Sequence, residues 1–287
     1  MRSRLARALI FTLALLLATA AALFGTTKTY EVRGLLQSYN AQAQEARIAH
    51  EEIAGCMPAM TMTFKVEGEV NEGTLHSGDS VRFTLHVTDQ DAWIDHLQND
   101  ASETKWPFRV EKARVVRQLQ PGDTFPDAQL IDQNGALVHL REFKGQALAI
   151  TFIYLGCPLP TYCPLMNNNF RSAENLLHRL GLEAHVKLLS ISMDQARDTP
   201  ERLREVASSY GAEPRNWVFA SVSEDQLKHL ADATGLEFSQ ANGQIVHNLR
   251  TLVIDREFRL RRSFAGNSWT PQELVAEITA TVENSNE

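Results

Sequence analysis

From Lys28 to about Lys105 the apolar positions come in short runs that alternate with polar ones. The runs are "KTYEVRGLLQSY", "ARIAHEEI", "MTMTFKVEGEV", "SVRFTLHVT" and "DAWIDHLQ", divided by Gly, Asn and Asp. A period of two bounded by turn residues predicts β-strands, and in the fourth run Val81, Phe83 and Leu85 share a face. An open sheet of five short strands would leave two unprotected edges, so the pattern predicts a small closed all-β barrel over residues 28–105.

Residues 106–119 are charged and β-forming, and are expected to connect this unit to the next. Beyond residue 120 the pattern changes to alternating strand and helix. "QALAITFIYL" reads as a buried strand, followed by a helix with Phe170, Ala173, Leu177 and Leu180 on its apolar face. "HVKLLSISM" and "NWVFASV" read as further strands. Asp198-Thr199-Pro200-Glu201 opens a helix with an N-cap candidate and proline in the first turn. Ser223-x-x-Gln226 is a capping box, and Thr270-Pro271-x-Glu273 caps the last helix. "LRTLVID" and "FRLRRSF" form a hairpin. This order predicts a three-layer α/β domain over residues 120–287, with helices on both faces of its sheet.

The N-terminus changes the picture of where the protein works. Arg2, Arg4 and Arg7 precede an uncharged apolar run, with no charge from Ala8 through Thr27. A basic segment followed by an apolar run is an export signal, here residues 1–27. Ala18-x-Ala20 or Ala20-x-Ala22 would serve cleavage; uncleaved, the run would act as an inner-membrane anchor. In both cases residues from about Lys28 onward are expected to be periplasmic. The 287 residues are 44% apolar with a net charge of −7, enough for a substantial core. No block of lysine or arginine follows the first seven residues, which argues against nucleic acid as a partner.

Two clusters carry chemistry. In "CMPAMTM", residues 56–62, three of the chain's six methionines fall within six positions. On a strand Met60 and Met62 project to the same side. Met57 precedes them beyond Pro58, and His50 ends the preceding strand. A lone methionine there would read as core. Thioethers beside an imidazole are instead a soft ligand set, which selects Cu(I) over zinc and holds neither magnesium nor calcium. Because thioethers need no deprotonation, such a set works in oxidising, mildly acidic surroundings.

The second cluster is "TFIYLGCPLPTYCPLMNNNF". Cys157 follows a buried strand and Cys163 stands at the start of a helix, whose N-terminus favours an anion and so a lowered thiol pKa. The loop between them can close a disulfide or pinch one metal ion. It is not the Cys-x-x-Cys redox motif. No proline falls between Pro214 and Pro271, where thioredoxin-type reductases place a cis-proline; "QIVHNLRTLVID", with His247, stands there instead.

"HEEIAGCMPAMTMTFKV" resembles the CusF-like periplasmic copper-binding domain, a small OB-type barrel. The resemblance implies Cu(I) ligands His50, Met60 and Met62. Met57 stands where that family often has a metal-capping tryptophan, so it and Cys56 are candidate further ligands. From about Pro121 onward the chain resembles the Sco/SenC copper chaperones, on a thioredoxin-like scaffold. That likeness rests on "PGDTFPDAQLIDQNG", the cysteine loop, "SISMDQARDTPERL" and the histidine before the hairpin. It implies Cys157, Cys163 and His247 as copper ligands, suited to Cu(I) and, with an added oxygen ligand, Cu(II). Most members have three residues between the cysteines; here there are five, "PLPTY".

Taken together, the resemblances imply an extracytoplasmic copper chaperone. Its partner would be a copper-accepting protein, such as the cytochrome c oxidase subunit that carries a binuclear copper site. Two alternatives remain open: a thiol–disulfide oxidoreductase using Cys157 and Cys163 to reduce the recipient's cysteines, and a copper resistance or buffering protein.

Overall fold

A computed structural model describes residues 27–100 and 118–283, apart from 69, 71, 90, 242 and 243. The expected export signal and nearly all of the expected connector lie outside the described residues. Among the described residues no helix is long and apolar enough to cross a membrane.

The first unit comprises β1 (Lys28–Asn40), β2 (Glu45–His50), β3 (Met60–Lys65), β4 (Ser80–Val87) and β5 (Ala92–Asn99). The strands pair antiparallel in the order β3-β2-β1-β4-β5. Register shifts at Leu36/Ser38 and Arg82/Thr84 curl the sheet, as β-bulges do. The curled ends meet through a parallel bridge between Val66 and Ile94, and the Glu67 N–H donates to the Ile94 carbonyl at 2.8 Å. The barrel is therefore closed. Val81, Phe83 and Leu85 are all buried inside it.

The second unit is built on a seven-stranded sheet. It begins with the β6 (Gln129–Asp132) and β7 (Leu137–His139) hairpin. The chain then runs through β8 (Ala147–Ile153), α1 (Cys163–Arg179), β9 (Val186–Ser192), α2 (Pro200–Tyr210), β10 (Trp217–Val222) and α3 (Glu224–Thr234). A separate small hairpin, β11 (Phe238–Ala241) and β12 (Gln244–His247), precedes β13 (Arg250–Ile254), β14 (Leu260–Ala265) and α4 (Pro271–Glu283). The strand order is β14-β13-β8-β9-β10-β6-β7, with β8, β9 and β10 parallel. Every residue of β8 is buried, as a central strand covered on both faces requires. This is a thioredoxin-like α/β arrangement. The end of β8, the start of α1 and the β12–β13 junction converge at one edge of the unit.

Three local expectations need correction or refinement. Leu180 is 58% exposed, because it is the C-cap of α1 and the chain has already turned off the apolar face of Phe170, Ala173 and Leu177. The Ser223 capping box is half made: the hydroxyl accepts from Gln226 N–H, but the Gln226 side chain turns away to accept from Gln129 N–H at 3.0 Å. Within the expected Asp198–Glu201 start, Thr199 is the cap of α2. Asp198 is buried and points back, accepting from Ser192 Oγ at 2.6 Å and Leu155 N–H at 2.9 Å. It thereby pins the chain leaving β8 just before Cys157. The Thr270–Glu273 box forms in full.

Candidate functional site

In the barrel, the β2–β3 register puts His50 directly opposite Met60 and Ile48 opposite Met62. Paired residues share a face, so His50, Met60, Met62 and Phe64 project together. His50 packs edge-on against Phe64, ring centroids 5.6 Å apart. His50 and Met62 are buried and Met60 is partly exposed. The His50 Nδ1–H donates to the Glu51 carbonyl at 2.7 Å, which leaves Nε2 carrying the lone pair. That Nε2 is buried with no hydrogen-bond partner. Burial lowers the His50 pKa to about 4, so the ring is neutral at physiological pH. An orphaned imidazole nitrogen costs free energy unless something binds it. Two thioethers on the same face make, with it, a donor set suited to a soft metal ion.

Met57 and Cys56 sit in a tight turn closed by reciprocal Ile53–Met57 backbone hydrogen bonds, with Gly55 at φ 73°. Both side chains are buried. Burial raises the Cys56 thiol above its ordinary pKa, and the neighbouring Cys157 sulfur raises it further. Cys56 thus lies at the junction of the two units rather than on the His50–Met60–Met62 face.

In the second unit the Cys163 Sγ lies 3.6 Å from His247 Nε2. Two ligands at about 2.3 and 2.0 Å from one metal, at a tetrahedral angle, would stand roughly 3.5 Å apart. His247 repeats the device seen at His50: Nδ1–H donates to the next residue's carbonyl, Asn248, at 2.8 Å, and Nε2 faces the sulfur. Its pKa is also lowered to about 4 by burial. Cys157 Sγ is directed to the Leu159 carbonyl at 3.8 Å. Among the described residues no three His, Cys, Asp or Glu side chains already form a closed metal cage. Cys163 and His247 face each other, and Cys157 lies against Cys163.

The two thiols are unequal, in a way the sequence pattern did not predict. Cys163 opens α1, yet its pKa is raised well above normal because the sulfur is buried and lies against Cys157. Cys157 is lowered, first by the Cys163 S–H hydrogen bond and then by backbone N–H groups that include that of Cys163. The amide end of the helix serves the other cysteine. Cys157 is half-buried and Cys163 buried, and no disulfide joins them. Tyr154, at the end of β8, hydrogen-bonds to Cys157 and stacks edge-on against His247 at 5.9 Å. Sequence reasoning missed Tyr154, although "FIYLGC" places it three residues before the cysteine.

Comparison with known proteins bears on the same residues. The sequence profile of the SCO1/SenC family matches residues 117–283, more than half of the chain. The chain belongs to the SCO1/SenC family. Ahead of that region, residues 29–99 match the profile of the copper binding periplasmic protein CusF. An SCO2-like protein of Rickettsia typhi is 27% identical over 153 residues, covering 51% of this chain and 70% of the relative. Among solved structures, a SCO1/SenC family lipoprotein from Bacillus anthracis superposes with a TM-score of 0.52 at 20% identity, over 58% of this chain and 99% of its own. BsSco, a member of the Sco family of cytochrome c oxidase assembly proteins in which a disulfide switch was identified, gives 0.50 at 20% identity, over 57% and 96%. At these identities the structural matches establish the thioredoxin-like fold of this SCO1/SenC chain.

Proposed function

We propose that this protein is an extracytoplasmic copper chaperone with two copper sites: His50, Met60 and Met62 in the barrel, and Cys157, Cys163 and His247 in the SCO1/SenC unit. The observation that carries the reading is the repeated histidine. In each unit a buried, neutral imidazole has its Nδ1–H tied to the adjacent carbonyl and presents its Nε2 lone pair, unpartnered at His50 and facing a thiol at His247. The cargo is a soft ion, Cu(I), taken by thioethers at one site and thiolates at the other. The relatives' names extend the proposal: periplasmic placement from CusF, a membrane or lipid anchorage of the N-terminal segment, and delivery to a cytochrome oxidase subunit from the Sco assembly proteins.

Anaerobic titration of the full chain with Cu(I) against a chromogenic chelator tests this. Wild type should retain two ions, and Cys157→Ser/Cys163→Ser and Met60→Leu/Met62→Leu one each. A wild type that retains one ion, or none, would defeat the two-site reading.

A second reading, a thiol–disulfide oxidoreductase, is favoured by one observation. The half-buried, acidified Cys157 beside the protonated Cys163 is the asymmetry of an attacking and a resolving thiol. His247→Ala separates the two. It should cost the second copper ion while dithiol exchange with a small disulfide persists.

A further inference from the structure

The loop "PLPTY" between the two cysteines is longer than the resemblance led one to expect, and two of its residues turn inward. Leu159 and Tyr162 are buried. The Tyr162 hydroxyl donates to the backbone carbonyl of Thr63 on β3 at 2.8 Å, a contact spanning 99 positions. Thr63 directly follows Met62. From the other side, Asn267 Nδ2 donates to the Thr161 carbonyl at 3.0 Å, so the loop is held at both units. Leu159 and Tyr162 share the lining of one cavity with Met62, Phe64 and Leu85 of the barrel. An adjoining cavity of about 140 Å³ has Met62, Tyr162 and His247 among its lining residues. A third cavity reaches Cys157 and Cys163 past Pro164, Asn167 and Tyr210, and no barrel residue lines it. His247 thus shares a cavity with Met62, while this third cavity opens Cys157 and Cys163 on a side that no barrel residue lines.

We propose that the five residues between Cys157 and Cys163 are a docking segment that seats the thiol site on strand β3, so that copper passes from Met62 to His247 and the thiols within one molecule, through the cavity they share. The proposal rests on the two-site copper function. The step is ligand exchange: Cu–thioether and Cu–His50 bonds break as Cu–His247 and Cu–thiolate bonds form, copper remains Cu(I), and the two thiols release their protons to water. Tyr162 is a positioning residue. It touches no copper but fixes the facing geometry, and a fixed partner presents an effective concentration in the millimolar range.

The test uses the full chain, reduced and anaerobic. One equivalent of Cu(I) is added at pH 5, where protons compete with copper at the two sulfurs and not at the thioethers. The solution is then jumped to pH 7 in the presence of excess chelator, and the ultraviolet absorption of Cu(I)–thiolate is followed. Copper should reach the thiols at a rate independent of protein concentration, with little captured by chelator. Tyr162→Phe, which removes only the hydroxyl, should slow transfer about fivefold or more, the weight of one hydrogen bond, and Leu159→Ala, which loosens the packed loop, should slow it too. The affinity of each site, titrated separately, should stay within about threefold of wild type, a shift smaller than that single bond. A trans mixture of barrel-loaded Cys157→Ser/Cys163→Ser protein with Met60→Leu/Met62→Leu protein should transfer slowly and lose copper to the chelator. Equal rates in the variants, or in trans, overturn this inference while leaving the two-site function standing. A wild type holding a single ion overturns both.

Discussion

At the scale of single residues, the unequal thiols make the sharpest prediction. Cys157 is half-buried and acidified, whereas Cys56 and Cys163 are buried with raised pKa values. Brief alkylation of the reduced protein near neutral pH, followed by peptide mass spectrometry, should label Cys157 first. Cys163→Ala removes the S–H that stabilises the Cys157 thiolate, and should move the pH midpoint of that labelling upward. Fastest labelling at Cys163 would show that helix position outweighs burial. The sequence made the wrong residue the reactive one because spacing reveals which thiol starts a helix and not which is desolvated. It made His50, Met60, Met62, Cys157, Cys163 and His247 legible as ligand candidates because their residue types and spacing are local facts. The orphaned Nε2 of His50 was not legible, since it depends on what packs around the ring.

At the scale of elements, β1 and β2 leave no room for a side chain at Gly34, where the barrel site begins. Gly34 pairs with His50, and a Cβ placed on Gly34 would stand 2.3 Å from Ile48 Cγ2 and 2.9 Å from the Ala49 carbonyl oxygen. Strand backbone cannot yield as a flexible side chain does, so Gly34→Ala should push β2 outward and carry His50 off the methionine face. The expected result is destabilisation of about 1–3 kcal/mol, as for other overpacked sites, together with weaker Cu(I) binding at the barrel and unchanged binding at the thiol site. Urea unfolding and the chelator titration measure the two effects. Wild-type barrel affinity in a destabilised Gly34→Ala protein would mean that β2 position does not set the site. The strands themselves were readable from alternation, as were the caps at Thr199 and Thr270. What escaped the pattern was every element-to-element contact: the Gln226 side chain leaving its box for Gln129, Leu180 rotating off the core, and Tyr162 reaching β3. The Gln226 and Tyr162 contacts are decided by partners distant in sequence, on which local periodicity is silent, and Leu180 by where the helix ends.

At the scale of the whole molecule, each unit holds one buried neutral histidine, and this ties copper retention and stability to acid in a definite order. The folded pKa of about 4 at His50 and at His247 lies below the ordinary 6.5. Between those values the unfolded chain binds protons that the folded chain does not, so stability falls as pH drops from 6.5 toward 4. The loss approaches roughly 3 kcal/mol for each histidine by the lower limit. Above pH 6.5 neither histidine contributes any slope. Copper should depart in sequence. The thiol site has protons competing for both sulfurs and weakens first as the solution is acidified. The barrel site has neutral thioethers and an imidazole that stays unprotonated to about pH 4, and should hold Cu(I) with little change from pH 7 to pH 5. Chelator competition at half-unit steps of pH, on wild type and on the two ligand-deleted proteins, gives each curve separately. His50→Gln and His247→Gln should each flatten the stability slope between pH 4 and 6.5 by about half. Parallel copper curves for the two sites would mean that thiol protonation does not govern the second, and that the barrel has no advantage in acid.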